Sequence, residues 1–185
     1  MTNSSLEAAA ARLSHADRDL FKRVAAWQTP VLDTTLPVLS DTANYSRIWL
    51  TVAGLLAAAG GRRQRRAAVE GLVAVAITSA VANVAVKSLA SRKRPATSVP
   101  EARRLTQPGS SSFPSGHTAS AAAFSGVVGR QLPGLRLPIN VLAAAVGFSR
   151  IYTGVHYPGD VAAGWLLGKG IAAIVVRISA RIAPP

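Results

Sequence analysis

Five apolar segments dominate the chain, running roughly from Tyr45 to Ala59, Ala67 to Leu89, His117 to Leu132, Ile139 to Tyr152 and Pro158 to Ile178. A chain of 185 residues that is 49% hydrophobic and only 16% charged belongs with membrane proteins rather than with soluble globular ones. The expected fold class is all-α: an integral membrane helical bundle of about five transmembrane helices plus an N-terminal amphipathic helix. Several segments fall short of the ~20 residues a helix needs to cross a bilayer. Arg47, Arg130 and Arg177 near their ends can snorkel and lengthen the effective span.

The breaks between the segments are equally informative. "GRRQRR" (Gly61 to Arg66) separates the first two, and "PGLRLP" turns the third into the fourth. Between the second and third lies "ASRKRPATSVPEARRLTQPGSSSFPSG", too polar and proline-rich to enter hydrocarbon. Upstream, residues 4 to 27 read as an amphipathic helix with Leu6, Leu13, Leu20, Val24 and Trp27 on one face. It either packs on the bundle or lies in the headgroup plane. Pro30 is expected to end it, leaving Val31 to Ser40 as a connecting stretch broken by Pro37. The whole reads as one domain, with residues 1–40 an interfacial region and 41–185 the catalytic bundle. No secretory signal is visible, so insertion is expected to rely on the transmembrane helices themselves.

The net charge of +13, carried by 17 Arg and 4 Lys, invites a nucleic-acid reading. The basic residues sit at the ends of apolar runs, however, and no nucleic-acid-binding motif is present, so anionic lipid headgroups are the expected partner and nucleic acid is not. Cysteine is absent, which removes disulfides and thiolate metal sites. Small residues recur at four-residue spacing: Ala121, Ser125 and Gly129 in the third segment, and Gly164, Gly168 and Ala172 in the fifth. These read as surfaces of close helix packing. Lys169, well inside the fifth segment, either snorkels or lines a polar cavity, the cavity being the expectation. The surrounding "GWLLGKG" is no phosphate-binding P-loop, since its spacing is one residue short and Gly170 stands where Ser or Thr is needed.

Counting sides along the bundle brings Lys87, Arg94, Ser115, His117, Arg150, His156 and Asp160 to one membrane face. Three cations offer enough donors to hold a phosphate dianion, and arginine's planar fork suits phosphoryl oxygens. The turn "PSG" before His117 exposes the amides of Ser115, Gly116 and His117 at a helix N-terminus, an anion site that Gly116 leaves unobstructed. Asp160, four residues after His156, can accept the Nδ1 proton of that ring and leave Nε2 nucleophilic. His117 then stands opposite as proton donor to the leaving alkoxide. No metal or other cofactor is required, because Arg and Lys supply the positive charge. The remaining boundary cations, Arg62, Arg63, Arg65, Arg66, Arg92, Lys93, Arg103 and Arg104, are expected to be membrane anchors, and His15 a surface group.

The three elements together resemble a known family. "KSLASRKRP" (Lys87 to Pro95) has the form K-x6-R-P, "PSGH" spans Pro114 to His117, and "SRIYTGVHYPGD" (Ser149 to Asp160) has the form S-R-x5-H-x3-D. All three, in this order, are similar to the type 2 phosphatidic acid phosphatase superfamily of membrane lipid phosphatases. The resemblance implies a metal-independent phosphatase working through a phosphohistidine. In it His156 is the nucleophile, Asp160 its partner and His117 the general acid, with Lys87, Arg94, Ser115, Gly116 and Arg150 binding phosphate. Many relatives have six spans where five plus an interfacial helix are counted here. Two other classes compete: a vanadium-dependent haloperoxidase sharing the anion pocket, which fits a short apolar chain poorly, and an idle scaffold that binds anionic lipid.

A site at the membrane surface implies a lipid substrate with its phosphate at the rim. Polyprenyl-linked phosphates rank first, then phosphatidic acid and phosphatidylglycerol phosphate; an actinobacterial source would add polyprenyl-phosphoryl-phosphoribose. The arginine density of "GRRQRR" on the opposite face favours a multi-pass protein of the cell membrane with its site on the outer side.

Overall fold

The computed structural model describes residues 3–82, 91–95, 99–107 and 109–182. The expected phosphate ligand Lys87 and the end of the second apolar segment lie outside the described residues. Among the described residues the regular structure is entirely helical: α1 (Asn3–Ala26), α2 (Pro30–Thr42), α3 (Arg47–Ala59), α4 (Arg62–Ala80), α5 (Gly116–Gln131), α6 (Arg136–Tyr152) and α7 (Pro158–Ile182). The result is the helical bundle expected from the alternation of apolar segments and polar breaks.

Helix α5 is the axis of that bundle. Its residues Thr118 to Ser125 and Val127 to Gly129 are all buried, so its surroundings are protein on nearly every side. A helix made of Ala, Ser and Gly is thin, and thin helices let neighbours approach to backbone distance. Helices α4, α6 and α7 pack directly on it, α3 packs on α4, and α2 packs on α6. The small-residue stripes are surfaces of close packing as expected, that of α7 against Ser115, Ala119, Ala122 and Ala123, and Gly129 of α5 against Arg136 and Asn140 of α6. A Cβ built on Gly164 would stand 2.5 Å from the Ser115 carbonyl oxygen, and one on Gly168 would collide with the Ala119 carbonyl oxygen. Bulk enters where Trp49 of α3 meets Phe124 of α5, with ring centroids 5.4 Å apart, and Gly71 of α4 makes room for the Phe124 ring.

Polar contacts fix the directions of the helices. Ser79 near the end of α4 hydrogen-bonds Ser120 in α5 at 3.2 Å. At the other end of α4, Arg66 donates to the Ser179 hydroxyl near the end of α7 at 3.0 Å. Helices α5 and α7 therefore start, and α4 and α6 finish, at one end of the bundle. Among the described residues α7 is the one helix long and apolar enough to cross a membrane, with 25 residues. At 1.5 Å per residue it rises about 37 Å, more than the hydrocarbon thickness.

The N-terminal region differs from expectation in two ways. Val31 to Ser40 is helical: Pro30 occupies the first turn of α2, where a missing N–H costs nothing, and Pro37 is accommodated inside it. In α1 the buried residues are Phe21, Val24 and Ala25, while Leu13 is 73% and Leu20 50% exposed. Among the residues of α1 whose burial is described, the bundle thus buries those of the C-terminal part, on the face that carries Phe21. "GRRQRR" is also no simple break, since Arg62 onward forms the first turns of α4.

The two glycines of α7 provide a paired test. Gly168→Ala places a methyl group against backbone and should cost about 1–3 kcal/mol of stability, as overpacking does. Gly170→Ala, with nothing within 4 Å of the added carbon, should be neutral or slightly stabilising. Thermal unfolding in detergent distinguishes them: a lower midpoint for the first variant only is expected.

Candidate active site

The polar stretch before α5 folds down over the ends of α6 and α7, tied by side chains that bond backbone. Arg94 donates to the carbonyls of Ser110 (3.2 Å), Ser111 (3.2 Å) and Val155 (3.0 Å). Gln107 spans the carbonyls of Pro95 and Gly154 at 3.1 and 3.2 Å. Arg103, only 1% exposed, pairs with Asp33 at 2.6 Å and lies 4.4 Å over the Tyr152 ring, locking the stretch to α2 and α6. Its guanidinium also reaches the carbonyls of Ala25 and Trp27 at the C-terminal end of α1.

Beneath this roof is a cavity of about 500 Å³ lined by Arg94, Gly116, His117, Arg150 and His156, together with Asn44, Tyr45, Trp49, Ser79 and Ser120. Each side chain arrives by a different local device. After α6 the chain reverses at Gly154, whose φ of 71° is in the left-handed region where a side chain is strained. The reversal lets the amides of Val155 and His156 both donate to the Arg150 carbonyl at 3.1 Å, so the loop is rigid and His156 is buried. Ser115 caps α5 by accepting from the Thr118 amide at 3.4 Å. His117 therefore sits in the first turn, facing the cavity.

The histidines are oriented differently. Arg94 can only donate, so at 3.2 Å from Nη1 the His156 Nε2 presents its lone pair, which leaves the proton on Nδ1. Nδ1 faces Asp160 Oδ2 at 3.6 Å, too long for the hydrogen bond expected from their spacing. His156 lies in the loop between α6 and α7. Burial, with Arg150 and Arg94 adding repulsion, brings its pKa down to about 4 against the pull of Asp160, so the ring is neutral at physiological pH. His117 Nε2 is 2.9 Å from Asn44 Oδ1. Because the Asn44 amide nitrogen donates to Asp41 at 2.9 Å, its oxygen faces the ring, and Nε2 carries the proton. One ring offers a lone pair to the cavity while the other holds a proton.

Arg150 is the unusual charge. It is 3% exposed, and its Nη1 donates to the Ser40 hydroxyl at 2.6 Å. Among the described residues no carboxylate reaches ion-pair distance, Asp41 acting on it only from further away, and its Nε has no hydrogen-bond partner. A buried guanidinium left this way is poised for an anion. Among the described residues no cluster of three His, Cys, Asp or Glu side chains is placed to hold a metal ion.

Several expectations change. The Ser115 amide is spent on the Asp160 carbonyl at 3.0 Å and its side chain is fully buried, so Ser115 does not line the cavity; Gly116 and His117 do. Asp160, 0% exposed, is also off the wall and stands behind His156. Arg92 is no membrane anchor: it bridges Asp160 at 2.7 Å and Asp17 of α1 at 2.5 Å. Arg103 is buried as described, Arg66 pairs with Glu70 at 2.7 Å, and Arg104 donates to the Val99 carbonyl at 3.0 Å. Sequence reasoning missed Ser40, Asn44, Arg92 and Ser112, whose hydroxyl donates to Asp160. None carries a local signal, because each acts on a partner dozens of residues away. The turn delivering Asn44 does leave a backbone trace: Tyr45 and Ser46, at φ 53° and 59°, are held in the left-handed region at about 1–3 kcal/mol each.

Comparison with known proteins places this geometry in context. The chain is 42% identical over 146 residues to the decaprenylphosphoryl-5-phosphoribose phosphatase of Mycobacterium tuberculosis, covering 79% of this chain and 80% of that one. It is 30% identical over 164 residues to the undecaprenyl-diphosphatase of Sulfolobus acidocaldarius, covering 86% and 77%. Its fold superposes with a TM-score of 0.76, at 24% identity, on the crystal structure of the transmembrane PAP2-type phosphatidylglycerolphosphate phosphatase of Bacillus subtilis, covering 94% and 89% of the two chains. The profile of the PAP2 superfamily matches residues 67–183, well over half of the sequence, and the chain belongs to that superfamily.

Proposed function

We propose that this membrane protein is a lipid phosphate phosphatase that hydrolyses a polyprenyl-linked phosphate through a phosphohistidine. The observation that carries the reading is the buried Arg150, with no carboxylate at ion-pair distance among the described residues, in one cavity with Arg94 and two histidines whose Nε2 atoms differ in protonation. In the relatives' names, the phosphatase role and the polyprenyl-type substrates recur, which supports the substrate class.

The phosphoryl group enters between Arg94, Arg150 and the amides of Gly116 and His117, with Lys87 as a further ligand. Arg94 then exchanges its contact with His156 for a phosphoryl oxygen, freeing the Nε2 lone pair. Nε2 forms a bond to phosphorus as the phosphorus–oxygen bond to the leaving group breaks. His117 gives its Nε2 proton to the departing alkoxide. The developing imidazolium of His156 is steadied by Asp160. A water molecule, deprotonated by His117, next attacks phosphorus, the nitrogen–phosphorus bond breaks, and inorganic phosphate leaves. Ser115 serves as the cap that aims the two amides, rather than as a direct ligand. The positive charge comes from side chains, so turnover is expected to survive chelators. Helices α3 to α7 are the five spans, residues 1–40 the interfacial part of a single domain, and the cavity opens to the outer side of the cell membrane.

Phosphate release from a panel of lipid phosphates, in detergent with chelator, tests the reading. Wild type should act best on polyprenyl-linked members, including a polyprenyl-phosphoryl-phosphoribose. His156→Ala should lose at least about a thousandfold in rate while still binding lipid. Unchanged release would refute the mechanism, and vanadate-dependent halide oxidation would move the protein to the haloperoxidase class.

The pH dependence follows from the state of His156. Protonation removes its lone pair, so kcat/KM should fall as pH drops through about 4, after correction for substrate ionisation. Arg92→Ala should lower kcat about 10- to 100-fold. It should also shift that acid limb upward, because Asp160 without its cation holds the imidazolium more strongly. Loss of activity with an unmoved limb would mean Arg92 is merely structural.

A further inference from the structure

A second cavity, of about 800 Å³, lies at the opposite end of the bundle, between α5, α6 and α7. Ser125, Gly126 and Lys169 line it inside, Arg130 and Arg136 stand at its rim, and Leu137 and Ala173 add apolar wall. The catalytic cavity is at the start of α5, and Arg130 is in the last turn of the same helix, so the two are distinct.

Its interior is built around one ammonium. Lys169 is half-way along α7, and its Nζ donates to Asn140 Oδ1 at 2.6 Å and to the Ser125 hydroxyl at 3.1 Å. The Asn140 amide cannot turn away, because its nitrogen donates to the Arg136 carbonyl at 2.6 Å. Nζ also lies 4.9 Å over the Trp165 ring. These neutral contacts position the charge without neutralising it. Among the described residues no carboxylate lies within ion-pair distance of Lys169, Arg130 or Arg136. Glu70, the acidic residue on this side, is occupied by Arg66, Gln131 and Ser179. A glycine face makes the space: a Cβ on Gly126 would meet the Ala172 methyl at 2.7 Å and the Lys169 stem at 3.4 Å, and one on Gly129 would press on Arg136 and Asn140.

Three cations around an open cavity in an apolar bundle, with no acidic partner, call for a bound anion. Its rim is at the membrane surface, where anionic headgroups are the concentrated anions. The geometry points to a binding site for the phosphate of an anionic phospholipid, drawn from the leaflet facing away from the catalytic cavity. Lys169 and Asn140 reach the phosphate from inside, and Arg130 and Arg136 close on it from the rim. Leu137 and Ala173 lie along the first part of an acyl chain.

Purified full-length protein in neutral detergent would be titrated with phosphatidylglycerol, phosphatidylcholine or inorganic phosphate, reading bound lipid by native mass spectrometry and the unfolding midpoint by tryptophan fluorescence. Phosphatidylglycerol should bind at one site and raise the midpoint, phosphatidylcholine should do neither, and millimolar phosphate should not substitute. Arg130→Gln with Arg136→Gln, both on exposed side chains, should weaken phosphatidylglycerol at least about tenfold, the loss expected for charge-assisted contacts. Lys169→Met should weaken it similarly. Arg94→Gln, which removes a phosphate-binding cation from the catalytic cavity and none from this one, should bind it like wild type, which separates the two sites. Equal binding of phosphatidylcholine, or undiminished binding by both rim and Lys169 variants, would overturn the proposal. Full stabilisation by free phosphate would overturn the lipid as its source.

Discussion

A carboxylate with no access to solvent must find its donors in the protein, and Asp160 finds three, from two parts of the chain. Arg92 and the Ser112 hydroxyl come from the polar stretch before α5, and the Tyr157 amide, at 2.9 Å, comes from its own turn. Its backbone carbonyl also holds the Ser115 amide. One residue therefore fixes the starts of α5 and α7 relative to each other and holds the roof over both. Arg92 extends the network to α1, where Asp17 accepts from both Arg92 and the Gly159 amide. Cutting any one of these links leaves a buried charge short of partners, which is costlier than a lost surface contact.

The thinness of α5 makes the rest of the geometry possible. Two groups that must meet at a phosphorus atom, one from the start of α5 and one from the loop before α7, need their helices close together. Gly164 and Gly168 provide that closeness by letting α7 approach the α5 backbone. The same spacing leaves room for Lys169 and its cavity further along. Packing and chemistry thus draw on one property, the absence of side-chain bulk between α5 and α7.

The bundle was legible because apolar length and arginine-rich breaks report the solvent directly. Close packing was legible because four-residue spacing of small residues has one dominant meaning in a bilayer. The motif residues Arg94, Gly116, His117, Arg150 and His156 could be grouped by counting sides, and they do line one cavity. What pattern could not resolve was tertiary choice. Two prolines made α2 look like a connection, although one occupies a first turn that needs no donor. In α1 the stripe of Leu6, Leu13, Leu20, Val24 and Trp27 was the obvious face; Val24 is buried, but Leu13 and Leu20 are exposed and Phe21 meets Tyr157 instead, with rings 5.5 Å apart. Arg92 and Arg103 resembled boundary anchors because nothing local distinguishes an arginine bound to headgroups from one bound to Asp160 or Asp33. Asn44 and Ser40 act only through residues far along the chain.

Arg103 also determines when a thermodynamic debt falls due. Its contacts with Asp33, Tyr152 and the carbonyls at the end of α1 fix the described residues around it above the cavity during folding. Conformational entropy is then surrendered once, at birth, rather than at every encounter with a ligand. A floppy cover would have to be stilled anew on each turnover, taxing affinity. A pre-set one leaves the whole interaction energy available to discriminate between a bound phosphate and its transition state.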